Sequence, residues 1–133
     1  MITIEQGIEL VWHALEDMVG GEIYVRRIPS MRVVDIASAV APQARQEIVG
    51  IRPGEKVHEQ MIGVDDAHYT YEYADYYKIL PAIHDWSSDP ARTNGGRQVA
   101  PGFSYASDTN PEWMTVDALR AWIEQNRTSI GQF

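Results

Sequence analysis

The sequence predicts a mixed α/β domain with short strands. Three observations carry this. Apolar residues recur at helical spacing near both ends of the chain, at Ile4, Ile8, Val11, Trp12 and Leu15 and at Val116, Leu119, Trp122 and Ile123. Between them lie short runs with strand character, Glu22-Ile23-Tyr24-Val25 and the alternating Tyr69, Tyr71 and Tyr73. The chain, 133 residues and 44% apolar, is long enough to bury a real core as one domain spanning 1–133, or as part of a larger one.

The elements follow in order. Thr3 and Gln6 form a capping-box pattern that opens the first helix, and Gly20-Gly21 is expected to stop it through the left-handed C-terminal conformation. Glu22 to Val25 is a strand. Ser30 is expected to cap a second helix whose inner face is Val33, Ile36, Ala37 and Val40, ended by Pro42. Glu47-Ile48-Val49 reads as a further strand, and Arg52-Pro53-Gly54-Glu55 as a sharp loop. The stretch 56–62 fits strand and helix equally. The tyrosines at 69, 71 and 73 give a strand with one aromatic face, extended by or paired with Tyr77, Ile79 and Leu80. From 81 to 111 the chain is rich in Ser, Asp, Asn, Gly and Pro and reads as long and irregular, with a turn at Asn94-Gly95-Gly96. Thr115 caps the last helix.

Composition excludes several classes of function. There is no cysteine, which removes disulfide scaffolds, thiolate metal sites and cysteine nucleophiles. No run of about 20 apolar residues exists, so no membrane span is expected. Glu5, Glu9, Glu16 and Asp17 interrupt any secretory signal, which makes the cytoplasm the expected location. The net charge of -8 argues against nucleic acid as a partner. Residues 26–56 nevertheless hold six of the eleven basic residues, Arg26, Arg27, Arg32, Arg45, Arg52 and Lys56, against three acids. This island is either a solvated face or a site for a small anion.

The glycines never occur as Gly-x-Gly, and neither Lys56 nor Lys78 stands in a Tyr-x-x-x-Lys pair or follows a glycine. A dinucleotide loop, a Tyr-x-x-x-Lys catalytic pair and a P-loop are thus missing from these residues. His13, His58, His68 and His84 lack metal-ligand spacing, and Ile62 stands where a His-Glu-x-x-His motif begun at His58 needs its second histidine. Asp65-Asp66 is a candidate for a hard cation or simply a helix or turn start. The tyrosine strand is a candidate for stacking on a sugar, for a subunit contact, or for plain sheet packing. The positive signal is Gly50-Ile51-Arg52-Pro53-Gly54-Glu55-Lys56. A guanidinium on a tight turn grips phosphate oxygens bidentately, and a carboxylate three residues on accepts from a vicinal diol.

Arg52-Pro53-Gly54-Glu55 resembles the Arg-Pro-Gly-Asp/Glu motif of the extended short-chain dehydrogenase/reductase superfamily, which acts on nucleotide sugars. The wider pattern is similar to the inverting UDP-N-acetylglucosamine 4,6-dehydratases. It comprises Thr3 to Gly7, Gly20 to Val25, Ile28 to Met31, Ile48 to His58, Glu59 to Ile62, Tyr105 to Asp108 and Glu112-Trp113. The resemblance covers nearly all of this chain but only the C-terminal part of such an enzyme. It implies the substrate-binding C-terminal domain of an extended short-chain dehydrogenase/reductase, without the Rossmann half that carries NADP and the catalytic groups. This chain itself is then expected to hold no cofactor and no catalytic residue. The family also places an arginine just before the first helix, where this chain has Met1-Ile2.

The intact family enzymes oxidise C4 of the sugar, eliminate water across C5–C6 and return the hydride with inversion at C5, opening the pseudaminic acid pathway to flagellin and surface glycans. The resemblance further implies Arg52 as a pyrophosphate ligand and Glu55 as a ribose acceptor. It places Arg26 to Met31 near the nucleotide, and leads one to expect a UDP-sugar ligand, a Rossmann partner and homo-oligomers. It also implies exposed apolar surface on the first helix, where the Rossmann half would pack. A non-catalytic assembly module and an independent UDP-sugar-binding protein are the competing expectations.

Overall fold

The computed structural model describes residues 2–83 and 89–130. His84, in the polar stretch after Pro81, lies outside the described residues. In order the elements are α1 (Ile4–Asp17), β1 (Ile23–Arg26), α2 (Val33–Val40), β2 (Gln60–Ile62), a 3₁₀ segment (Val64–Tyr69), β3 (Thr70–Glu72), β4 (Tyr76–Ile79), α3 (Pro90–Thr93), β5 (Arg97–Gln98), β6 (Tyr105–Ala106), α4 (Val116–Gln125) and α5 (Arg127–Ile130). The mixed α/β class is therefore the observed one.

Four strands form an antiparallel sheet in the order β1-β4-β3-β5, and β2 pairs with β6 in a second, two-stranded sheet. In the register of the first sheet Val25 lies opposite Tyr77, Tyr24 opposite Lys78, and Tyr71 opposite Lys78 on the other side. Successive strand residues point to opposite faces. One face of the sheet sends Val25, Tyr77 and Ile79 into the core, where they meet Ile62 and Tyr105 of the small sheet. The Tyr77 ring lies 5.1 Å from Tyr105 and 5.2 Å from Phe103. The opposite face carries Tyr24, Tyr76 and Lys78 toward α1.

The capping box at Thr3 and Gln6 forms as the sequence predicts, with both reciprocal hydrogen bonds present. The stop of α1 is different. Met18 already has extended backbone, and Gly20 (φ 142°) and Gly21 (φ 81°) shape the turn into β1 instead. The Glu22 carboxylate accepts from the Val19 and Gly20 amides there. Helix α2 is capped at Arg32 without a side-chain bond, not at Ser30, because Ser30 is engaged in a parallel bridge with Trp113. Its buried residue is Ala39, packed toward α4, while Val33 and Val40 are exposed. The expected strand at 47–49 does not form. Ile48 and Val49 have no neighbouring strand to supply ladder bonds, and every residue from Val40 to Met61 is exposed.

Of the ambiguous stretch 56–62, only Gln60–Ile62 forms a strand, β2, and residues 56–59 are irregular. Tyr69, Tyr71 and Tyr73 do not share one face. Tyr69 sits in the 3₁₀ segment and packs on the core, Tyr71 stands opposite Lys78, and Tyr73 stacks on Tyr76. Of the two alternatives for Tyr77, Ile79 and Leu80, the structure takes pairing: β3 and β4 form an antiparallel hairpin. The polar segment after Pro81 contains α3, β5 and β6, with the turn at Asn94 (φ 41°) and Gly95 (φ 74°) where the sequence places it. Thr115 caps α4 through the Ala118 amide, and Leu119 is fully buried with Val116, Trp122 and Ile123 half-buried beside it.

Candidate functional site

The Arg52-Pro53-Gly54-Glu55 segment is a β-turn. The Glu55 amide donates to the Arg52 carbonyl at 3.1 Å, and Gly54 at φ 87° supplies the left-handed position that a type II turn demands after proline. The Arg52 amide in turn donates to Glu55 Oε2 at 2.9 Å. The Arg52 side chain is 81% exposed, and its Nε is 3.9 Å from Glu55 Oε1, a loose ion pair. The guanidinium is thus open to an anion from solvent.

The basic island is dispersed, with Arg26 at the end of β1. Arg27 is tied to Glu112 at 2.7 Å and Glu72 at 3.2 Å and lies over the Tyr77 ring, and Arg32 holds Asp35 at 2.8 Å. These are structural charges. Arg45, Arg52 and Lys56 sit on the exposed strap between α2 and β2. The basic side chains of the strap are therefore the exposed part of the island. From Arg26 at the end of β1 to Met31 the chain is firmly held. The Tyr105 hydroxyl donates to the Ile28 carbonyl and accepts from its amide, both at 2.8 Å, and Asn110 Nδ2 donates to Ile28 O and Ser30 Oγ. Motif segments some 80 residues apart are thereby joined.

Sequence reasoning missed a second cluster. Lys78, on the α1 side of the sheet, is 1% exposed and paired with Asp17 at 2.6 Å. Tyr24 Oη and Asn94 Nδ2 each donate to the same carboxylate at 2.6 Å. Tyr73, stacked on Tyr76 at 4.5 Å, and Tyr24 offer ring faces to the ammonium. Burial alone would raise the Asp17 pKa, but the hydrogen bonds from Lys78, Tyr24 and Asn94 outweigh it and hold it down at about 2. Burial and the Asp17 charge push Tyr24 well above the ordinary tyrosine range, and burial lifts Tyr76 to about 12. His13 rests on Tyr76 and Tyr24, at 4.8 and 6.0 Å between ring centres. The strand that carries Lys78 was legible through Tyr77, Ile79 and Leu80, but Asp17 as the partner of Lys78 was not.

This cluster is a clamp for α1. The helix turns Gln6, Gly7, Leu10, His13, Ala14 and Asp17 toward the body and leaves its apolar stripe outside. Ile4, Ile8, Val11, Trp12 and Leu15 are all at least 50% exposed. A contiguous apolar patch of this kind marks a contact surface. Among the described residues no three His, Asp or Glu side chains are placed to hold a metal, and Asp65 and Asp66 open the 3₁₀ segment, where Asp66 accepts from the Gly63 amide. No described helix is long and apolar enough to cross a membrane.

Residues 1–81 match the family model described as polysaccharide biosynthesis protein, more than half of the chain. The chain belongs to this family. The match contains α1, the strap and the Arg52 turn, and both strands of the Lys78 clamp. Two Campylobacter jejuni proteins named UDP-N-acetylglucosamine 4,6-dehydratase (inverting) are each 47% identical to this chain. The alignments cover 89% of this chain and 37% of either relative, and correspond to a C-terminal part of the dehydratase. A UDP-glucose 4-epimerase from Rickettsia canadensis is 25% identical over 75% of this chain and 30% of its own length. Among solved structures, Pen from Bacillus thuringiensis superposes with a TM-score of 0.76 at 21% identity, over 96% of this chain and 37% of that one. That likeness is one of fold. The chain spans about a third of the length of the relatives it matches.

Proposed function

We propose that residues 1–133 form the UDP-sugar-binding domain of an inverting nucleotide-sugar 4,6-dehydratase, with UDP-N-acetylglucosamine as substrate. In this reading it serves bacterial surface polysaccharide or flagellin glycan synthesis through the pseudaminic acid route, in the cytoplasm. The observation that carries it is the open guanidinium of Arg52 on a preformed Arg-Pro-Gly-Glu turn, 81% exposed and flanked by the strap's remaining positive charge. Arg52 grips the diphosphate with paired charge-assisted hydrogen bonds, about twice as strong as neutral ones. Glu55 faces the ribose. Anchoring UDP fixes the hexose in place, and positioning of this kind is worth several kcal/mol of barrier, roughly 7 or more in the best cases.

NADP is the cofactor the relatives' family implies. The residues here do not fit it: among the described residues the ladders of both sheets are antiparallel, and no Gly-x-Gly turn joins a strand to a helix. No step is derived through it. The Rossmann half is instead proposed as the partner that covers the apolar stripe of α1.

The exposure of that same stripe supports a second reading, a module for assembly that forms homo-oligomers or pairs with a full-length partner. Titration of UDP into the chain, alone and with a separately expressed Rossmann half, tests both. Binding that appears or tightens with the Rossmann half and is lost in Arg52→Ala supports the first reading. Association without any UDP dependence overturns it in favour of the second.

A further inference from the structure

The closed geometry of the Arg52 turn gives Glu55 a task distinct from contact with a ribose. Its carboxylate accepts from the Arg52 backbone amide at 2.9 Å, while its own amide donates to the Arg52 carbonyl at 3.1 Å, so the turn is shut in both directions. The guanidinium is left comparatively free, with Nε 3.9 Å from the other carboxylate oxygen, beyond hydrogen-bond reach.

Among the described residues nothing outside the turn packs on it. The strap is tied at one end, where Gln46 Nε2 donates to Ser38 Oγ at 3.0 Å, and at the other, where Glu59 and Ser107 exchange bonds of 3.1 and 2.8 Å. Every residue between those ties is exposed. Packing therefore does not hold Arg52, and the local ring of Pro53, Gly54 and the Glu55 carboxylate does. A binding arginine that must first be ordered loses affinity to that ordering, and a preformed turn removes the loss.

We propose that Glu55 is a positioning residue: its carboxylate locks the turn that presents Arg52 to the pyrophosphate of a nucleoside diphosphate. The inference rests on Arg52 being the diphosphate ligand. It predicts an effect on a ligand that has no ribose. Glu55→Ala removes the lock and weakens binding of inorganic pyrophosphate by about fivefold or more, the size of one net hydrogen bond. Glu55→Gln keeps an acceptor oxygen and restores binding to at least the parent level, since it also removes a repelling charge. A residue that only contacts ribose gives the opposite result, with pyrophosphate binding unchanged or tighter in Glu55→Ala.

The experiment titrates inorganic pyrophosphate into the chain and its variants by NMR, and measures amide exchange of Arg52 without ligand. Faster Arg52 exchange in Glu55→Ala, by about fivefold, with near-parent exchange in Glu55→Gln, is the expected result. Unchanged exchange in Glu55→Ala, or equal pyrophosphate loss in the Ala and Gln variants, overturns the proposal. If Arg52→Ala binds pyrophosphate as well as the parent does, the Arg52 reading fails on its own, and the exchange arm still decides whether Glu55 locks the turn.

Discussion

Lys78 Nζ lies 2.6 Å from Asp17 Oδ2, with the two side chains 1% and 7% exposed, and this pair fastens α1 to the sheet. A buried ion pair is costly to assemble but costlier to break, because the survivor is left charged without a partner. Lys78→Met and Asp17→Leu are each expected to destabilise the fold by roughly 3–5 kcal/mol, with Asp17→Leu/Lys78→Met together costing less than the sum of its single changes. Urea unfolding of the four proteins measures this.

The same carboxylate makes stability depend on acid. The folded pKa of Asp17 is about 2 against an ordinary 3.8, so its contribution is complete above the ordinary value and disappears as pH falls toward 2. Glu22, lowered despite its burial by the amides around it and by Arg92, acts in the same sense. About 2 kcal/mol of unfolding free energy should be lost between pH 5 and pH 2 through Asp17. Unfolding midpoints across that range, compared with Asp17→Asn, isolate the term, and a slope unchanged by the substitution contradicts it.

Gly96 and Gly54 fail on substitution for different reasons. A Cβ at Gly96 overlaps the Tyr73 ring, which is held by its stack on Tyr76 and by its hydroxyl on the Thr93 carbonyl. Gly96→Ala is expected to cost roughly 1–3 kcal/mol as overpacking. Gly54 has open space around it and a φ of 87°, so Gly54→Ala costs about 1–2 kcal/mol through backbone conformation alone. Thermal unfolding separates the pair when each is repeated with Tyr73→Ala, which relieves only Gly96→Ala.

The stripe on α1 predicts self-association of the free chain. Trp12 is 62% exposed at its centre. Replacing Trp12 and Ile8 by Glu should shift sedimentation toward the monomer without lowering the unfolding midpoint. A parent chain that is strictly monomeric at high concentration contradicts the expectation.

For the ligand, Arg52→Ala should weaken UDP binding by roughly 2 kcal/mol or more, and Arg52→Lys should recover only part, since a point charge does not reproduce the fork. Binding should fall as salt rises, because the site is exposed. Calorimetric titration of UDP, with the Rossmann half present, checks each.

What the sequence determined by itself is local. Capping at Thr3 and Thr115, the turns at Gly54 and Asn94, and the hairpin of β3 and β4 depend on residues within a few positions of one another, so their chemistry is written in short windows. The exposed stripe of α1 followed from the family resemblance together with the helical spacing of its apolar residues. Tertiary structure decided what depends on partners distant along the chain. Ile48 and Val49 read as a strand but meet no second strand, and strand structure exists only where a ladder is completed. Ser30 reads as a cap but is claimed by Trp113, more than 80 residues away. Asp17 looks like one more acid on an acidic helix until the fold brings Lys78, Tyr24 and Asn94 around it. Nothing in the linear order predicts that meeting, because the cost of burying each charge is offset only when all four side chains arrive together.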